Sequence, residues 1–210
     1  MNQVVAFDLD GTLSQSEAFL LPAYRDAVSA MGLEPQPDAH LRQMIGGTVE
    51  DNLEIVMPGQ PMERFREYLH YVHDFAHRYV VQCGKTYPCI PESLAELHRL
   101  GYRIALCSNG TPDYINFVLD TLNIQQYFDA VQTNLPGWTK SDLLGKILQD
   151  FDTSAAVMVG DRHFDFQAAK DNHVPFIGCA YGLFPQEVTQ ADVVITAADQ
   201  LVQAVEQLLR

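Results

Sequence analysis

Hydrophobic positions along the chain fall into two regimes. From Cys89 onward, short apolar runs alternate with stretches of helical period. "YRIALCS" (102–108), "AAVMVGD" (155–161), "VPFIGCA" (174–180) and "ADVVIT" (191–196) read as strands, with "FDAVQT" (128–133) a weaker one. Between them, Ile115, Val118, Leu119 and Leu122 share one helical face behind the start signal Thr111-Pro112. Leu143, Leu144, Ile147 and Leu148 predict a second helix, and Leu201, Val202, Val205, Leu208 and Leu209 a last one. Strands that are apolar throughout and separated by helices imply a parallel sheet covered on both faces.

Residues 15–84 follow a different pattern. They hold no convincing strand and predict helices over Ser16–Met31, Asp38–Val56 and Met62–Val81, punctuated by Pro35, Pro37, Pro58, Gly59 and Pro61. Tyr68, Tyr71, Phe75 and Tyr79 read as packing within that segment. The expected architecture is α/β: a Rossmann-like parallel-sheet core over 1–14 and 85–210, with an all-helical cap inserted over 15–84. No internal repeat or low-complexity stretch appears.

Composition narrows the classes of function. A chain of 210 residues suits one large domain, or a core with an insert. Acids outnumber bases 27 to 13, a formal charge of −14, which argues against nucleic acid or an anionic membrane as the main partner. Cys83, Cys89, Cys107 and Cys179 form no CxxC, and Cys107 and Cys179 sit in apolar runs as buried free thiols would. The N-terminal stretch lacks the pattern of a signal peptide, and no apolar run approaches the ~20 residues of a membrane span. A cytoplasmic location is the expectation, as a monomer or homodimer.

The charged positions of interest stand where strands end. "VVAFDLDGTL" (4–13) sets Asp8 and Asp10 one residue apart behind an apolar run. Crowded like charges resist ionisation, so a cation, a reaction using one acid and one base, or exposure to water must relieve them. Ser108 and Asn109 follow "IALC", and Lys140 opens the helix after the loop "NLPGWT". Asp161 follows "VMVG", with Asp165 one helical turn later. Ligands of open parallel sheets bind outside the carboxyl ends of the strands, and all four groups lie there.

In order and spacing, "DLDGT", "SNG", the isolated Lys140 and "GDRHFD" resemble the motifs of the haloacid dehalogenase superfamily. The tail "GDRHFDFQAAKDNHVPFIGCAYG" further resembles its phosphoglycolate phosphatase-like branch, in which a helical cap follows the first motif. The resemblance spans the whole core. It implies a Mg²⁺-dependent phosphatase acting on a small phosphorylated metabolite through an aspartyl-phosphate. Asp8 would be the nucleophile and a metal ligand, and Asp10 the general acid and base, its backbone carbonyl also facing the metal. Asp161 would supply a second carboxylate and Asp165 would hold metal-bound waters. Ser108, the Asn109 backbone N–H and Lys140 would hold the phosphoryl oxygens. These residue types suit the chemistry: a carboxylate nucleophile, oxygen ligands for magnesium, and donors where phosphoryl charge must be neutralised.

Taken singly, each motif has an ordinary explanation as a turn, a loop, a solvated lysine or an acid near a helix start. Their joint occurrence at strand ends is what points to a site. Asp10 disfavours dehalogenation, whose enzymes lack the second aspartate. The absence of lysine from 15–84 excludes phosphonate cleavage through a cap imine. "GKT" (84–86) is no phosphate loop, because position 79 is tyrosine. His70, His73 and His77 share a helical face better suited to solvent or an interdomain seam than to zinc. Arg162 and His163 border the motif with no role assigned by spacing. Arg42 and Gly46, in and beside the turn "MIGG" (44–47), are candidates for facing substrate, with phosphoglycolate first among esters. A sugar-phosphate mutase, a nucleotidase and a non-enzymatic metal-binding regulatory protein are the alternatives.

Overall fold

The first apolar run forms strand β1 (Val4–Phe7), buried at all its positions. A strand so placed needs neighbours on both edges and cover on both faces. Five more short strands supply the edges: β2 (Arg103–Cys107), β3 (Ala130–Gln132), β4 (Ala156–Gly160), β5 (Phe176–Cys179) and β6 (Val193–Ile195). In the computed structural model, which describes residues 2–209, the six run parallel in the order β3-β2-β1-β4-β5-β6. Each lies inside the run that the sequence pattern predicts, the weak one included.

Four helices follow β1 over residues 15–84: α1 (Glu17–Ala30), α2 (Asp38–Leu41), α3 (Val49–Val56) and α4 (Met62–Cys83). Among the described residues, none between 15 and 84 lies in a strand, so the sheet carries an inserted all-helical cap. The helix predicted over Asp38–Val56 is broken. α2 passes into a single 3₁₀ turn at Arg42–Met44, and Gly46 takes a left-handed backbone with φ of 73°. Glycine pays no steric cost there, whereas a helix cannot continue through it. Thr48 restarts the chain as the N-cap of α3, its hydroxyl accepting from the Asp51 N–H at 3.1 Å.

Phe65, Tyr68, Val72, Ala76 and Val80 recur at three- and four-residue steps and form the buried stripe of α4, which packs against α1. That packing merges with the sheet, because Phe65 and Tyr68 share one continuous apolar cluster with Val5 and Phe7. The histidines of α4 divide. His77 stacks on Phe117 at 3.7 Å between ring centres and His73 sits 4.0 Å from His77, while His70 is exposed.

Side chains along a strand alternate between faces. Val5 and Phe7 face α5 (Ile90–Arg99), α6 (Pro112–Thr121) and α9 (Leu201–Leu208). Val4 and Ala6 face α7 (Lys140–Asp150) and α8 (His163–Asp171). The core boundaries expected at 1–14 and 85–210 include Met1 and Arg210, which lie outside the described residues. No described helix is long and apolar enough to cross a membrane.

The start of α7 is fixed by a capping box. The Thr139 N–H donates to Asp142 Oδ2 at 2.7 Å, and the Asp142 N–H to the Thr139 hydroxyl at 3.3 Å. Lys140 thereby becomes the first helical residue. Thr139→Ala is expected to lower unfolding stability by about 1 kcal/mol, read from the midpoint of a urea titration at unchanged slope.

Candidate active site

Asp8, Ser108 and Asp161 follow β1, β2 and β4, which are neighbours in the sheet. Phe7 is in register with Leu106 on one side and Val159 on the other, so the residues just beyond emerge side by side. Lys140 reaches the same edge from the start of α7. Its Nζ donates to Asp8 Oδ1 at 2.6 Å and forms an ion pair with Asp165 Oδ1 at 2.5 Å. Asp165, in the first turn of α8, accepts the Arg162 N–H on Oδ2 at 3.0 Å. Asp161 accepts the Leu183 N–H on Oδ2 at 2.8 Å. One oxygen from each of Asp8, Asp161 and Asp165 lies within 4.8 Å of the others, and all three residues are buried.

Burial of so many like charges has a clear electrostatic signature. Burial pushes Asp8 up to about 7; Lys140 opposes this in part, while Asp165 and Asp10 add to it. Asp161 is held well above the usual carboxylate range by burial, then by Asp8 and Asp165. Burial also works against the Lys140 ammonium, but Asp165 and Asp8 outweigh it and hold that group above its ordinary value. One ammonium thus serves an acidic cluster that it does not neutralise.

The donor set fits a hard divalent cation. All its side-chain atoms are carboxylate oxygens, and Asp8 Oδ2 is buried without a hydrogen-bond partner. Gly11 leaves room for the Asp161 carboxylate, since a Cβ there would stand 2.7 Å from Asp161 Cγ.

Asp10 stands apart from the cluster in its contacts. Its carboxylate Oδ1 accepts hydrogen bonds from the Ser16 hydroxyl and, at 2.6 Å, from the Tyr114 hydroxyl. Burial raises its pKa, and the two hydroxyls counteract this in part. Neither Ser16 nor Tyr114 was legible from spacing; Tyr114 arrives through the first turn of α6, and only its place just after "SNG" could have suggested it. The Ser108 hydroxyl accepts the Gly110 N–H at 3.2 Å, shaping the loop after β2.

The cap reaches the site through its Gly46 turn. Asn109 Nδ2 donates to the Gly46 carbonyl at 3.1 Å. Arg162 Nη1 donates to the carbonyls of Ile45 and, at 3.3 Å, Gln43, and the guanidinium lies 3.9 Å from the centre of the Phe184 ring. Arg162 and His163 both bond Glu187. Arg42, by contrast, is engaged by Glu17 at 2.5 and 2.8 Å and lines neither cavity at the site.

Two cavities open between cap and core. The larger, about 720 Å³, runs from Lys140 and Asn109 past Arg66 to the exposed Trp138. The smaller, about 130 Å³, lies under the cap and is lined by Asp10, Gly46, Asn52, His73, Asn109 and Tyr114 among others.

Known proteins resemble this chain in sequence and in fold. The family model described as haloacid dehalogenase-like hydrolase matches residues 5–179. A phosphoglycolate phosphatase of Aquifex aeolicus (strain VF5) is 31% identical over 181 residues, 80% of this chain and 80% of that protein. A phosphoglycolate phosphatase of Vibrio parahaemolyticus serotype O3:K6 is 28% identical over 97% of this chain and 95% of its own length. The crystal structure of a predicted phosphatase from Clostridium acetobutylicum superposes with a TM-score of 0.87 at 22% identity, covering 98% of this chain and 99% of that one, and supports the fold. With the motif residues gathered at one sheet edge beneath a helical cap, the chain belongs to the haloacid dehalogenase-like hydrolases and is one of their phosphatases.

Proposed function

We propose that the protein hydrolyses a small phosphomonoester in a magnesium-dependent reaction through an aspartyl-phosphate on Asp8, with residues 15–84 as a cap over a core of 1–14 and 85–210. The observation that carries this reading is the pairing of an unpartnered carboxylate oxygen, Asp8 Oδ2, with a second buried acid, Asp10, whose Oδ1 accepts hydrogen bonds from two hydroxyls rather than from an ammonium.

Asp8 Oδ2 attacks phosphorus, forming the acyl phosphate as the bond to the ester oxygen breaks. Asp10 gives its proton to that departing oxygen. Ser16 and Tyr114 both donate to Oδ1, which leaves Oδ2 as the oxygen that holds the proton. Asp10, now a carboxylate, takes a proton from water attacking the phosphorus, and inorganic phosphate leaves with Asp8 restored. Lys140, the Ser108 hydroxyl and the Asn109 backbone N–H bind the phosphoryl oxygens, where charge gathers during transfer. Asp8, Asp161 and the Asp10 backbone carbonyl would hold the magnesium ion, with Asp165 behind them. Bound there, the ion neutralises phosphoryl charge and relieves the crowding of the acids. The relatives' names make phosphoglycolate the first ester to try.

Asp8→Asn is expected to abolish phosphate release from any ester while circular dichroism and the thermal midpoint stay those of a folded protein. Phosphate release by that variant above background would sink the mechanism. Chelation by EDTA is expected to silence the wild type, and added magnesium to restore it.

Linkage gives a pH-dependent counterpart. Asp8 is raised from 3.8 to about 7 on folding, so its protonated form contributes stability that is complete below its unfolded value and lost as pH rises through about 7. Asp161 shifts in the same direction. A divalent cation competes with those protons. The rise in thermal midpoint on adding magnesium is therefore expected to be larger at pH 8 than at pH 5; an equal rise at both would contradict cation binding at these carboxylates.

A further inference from the structure

Asp10 is held by one oxygen. Its Oδ1 accepts from the Ser16 hydroxyl and, at 2.6 Å, from the Tyr114 hydroxyl, and neither of these bonds goes to Oδ2. The terminal torsion of an aspartate is otherwise soft, so two donors on Oδ1 give Oδ2 a set direction.

The two donors come from different parts of the molecule. Ser16 stands just before α1, the first helix of the cap, so its bond belongs to the entry into the cap. Tyr114 lies in the first turn of α6, a core helix whose buried side chains share the apolar cluster of Val5 and Phe7. It reaches Asp10 from the same body that carries Asp8, Lys140 and Asp161. Its seat is close-fitting. The ring packs against that cluster, and a Cβ at Gly110 would stand 3.0 Å from Tyr114 Cδ1, so the glycine of "SNG" makes room for it. Burial and the neighbouring Asp10 hold the Tyr114 hydroxyl well above its ordinary pKa, and it stays a donor.

We propose that Tyr114 is a positioning residue for departure of the alcohol, holding Asp10 from the core side with Oδ2 presented to the ester oxygen. The proposal rests on the phosphatase reading above. As the bond from phosphorus to the ester oxygen breaks, the proton on Oδ2 passes to that oxygen and Asp10 is left a carboxylate. A hydroxyl donates more strongly to a carboxylate than to a neutral acid, so the Tyr114 bond tightens during the step. Its effect therefore depends on the leaving group. An alkoxide is too basic to depart without a proton, whereas p-nitrophenolate departs without one at neutral pH.

The measurement is kcat/KM, with magnesium present, for p-nitrophenyl phosphate and for the fastest of three alkyl esters: phosphoglycolate, ethyl phosphate and glycerol phosphate. This constant covers the steps through departure of the alcohol, so the later attack of water does not enter it. Tyr114→Phe is expected to lower the ratio of alkyl to aryl ester by about tenfold, the scale of one hydrogen bond to a charged group. A hydroxyl that serves only packing would lower both rates together and keep the ratio. An unchanged ratio in the folded variant thus overturns the proposal and leaves the phosphatase reading intact. One preparation turns over both esters, so incomplete folding cancels from the ratio. Tyr114→Met fills similar space without a donor and decides in the same way if the phenylalanine variant does not fold. Wild-type turnover of the aryl ester alone also overturns the proposal, since no acid then acts on the departing oxygen. No phosphate release from any ester overturns the phosphatase reading, and this proposal with it.

Discussion

Lys140 stands between Asp8 and Asp165 where none of the three side chains meets appreciable solvent. An unpaired carboxylate in such a place would be protonated or displaced, because removing charge from water costs several kcal/mol per ion. One ammonium opposes, in part, the burial that raises Asp8 to about 7 at the end of a wholly apolar strand. It also sets the limits of the site. Asp161 adds negative charge that Lys140 does not offset, so the cluster stays poised to take up a cation or protons. The capping box that starts α7, the short loop between β4 and α8, and the small residues around Asp161 all hold this imbalance in one geometry.

The same edge explains how the cap matters to chemistry lying in the core. Asn109 and Arg162 each follow a strand-end residue of the site, Ser108 and Asp161 respectively, and each donates to backbone carbonyls of the cap turn at 43–46. A change in the cap's position is thereby felt one residue away from those groups. Tyr114 links from the other side, joining the first turn of α6 to Asp10. The smaller cavity under the cap is lined by residues from both parts, Asn52 and His73 from the cap and Asp10 and Tyr114 from the core.

Most of the sheet was legible because parallel strands covered on both faces must be apolar at every position, as Val4–Phe7 and Ala156–Gly160 are. Local signals for helix starts worked where they were chemical, as at Thr111-Pro112. Periodicity misjudged Asp38–Val56, where apolar residues continue at helical spacing through a left-handed glycine; a hydrophobic pattern says which face is buried, not whether the backbone between is continuous. Arg42 looked available for an anion in the sequence, but Glu17 lies across from it in the fold and occupies its guanidinium.

Sequence by itself determined the chemistry that can occur: which residues are acids, that they follow strands, and that glycines beside them leave room. Those are local properties, carried by residue type and by the hydrogen-bonding habits of neighbouring positions. Only tertiary structure decided what each acid experiences. Asp8 and Lys140 are 132 positions apart, and Asp10 meets Tyr114 across 104. Burial and Coulomb interaction depend on distance in space and on exclusion of water, neither of which a linear spacing contains. The two aspartates of "DLD" are near-identical in sequence. The fold gives one an ammonium and the other two hydroxyls, and so sets two chemically alike side chains in different surroundings.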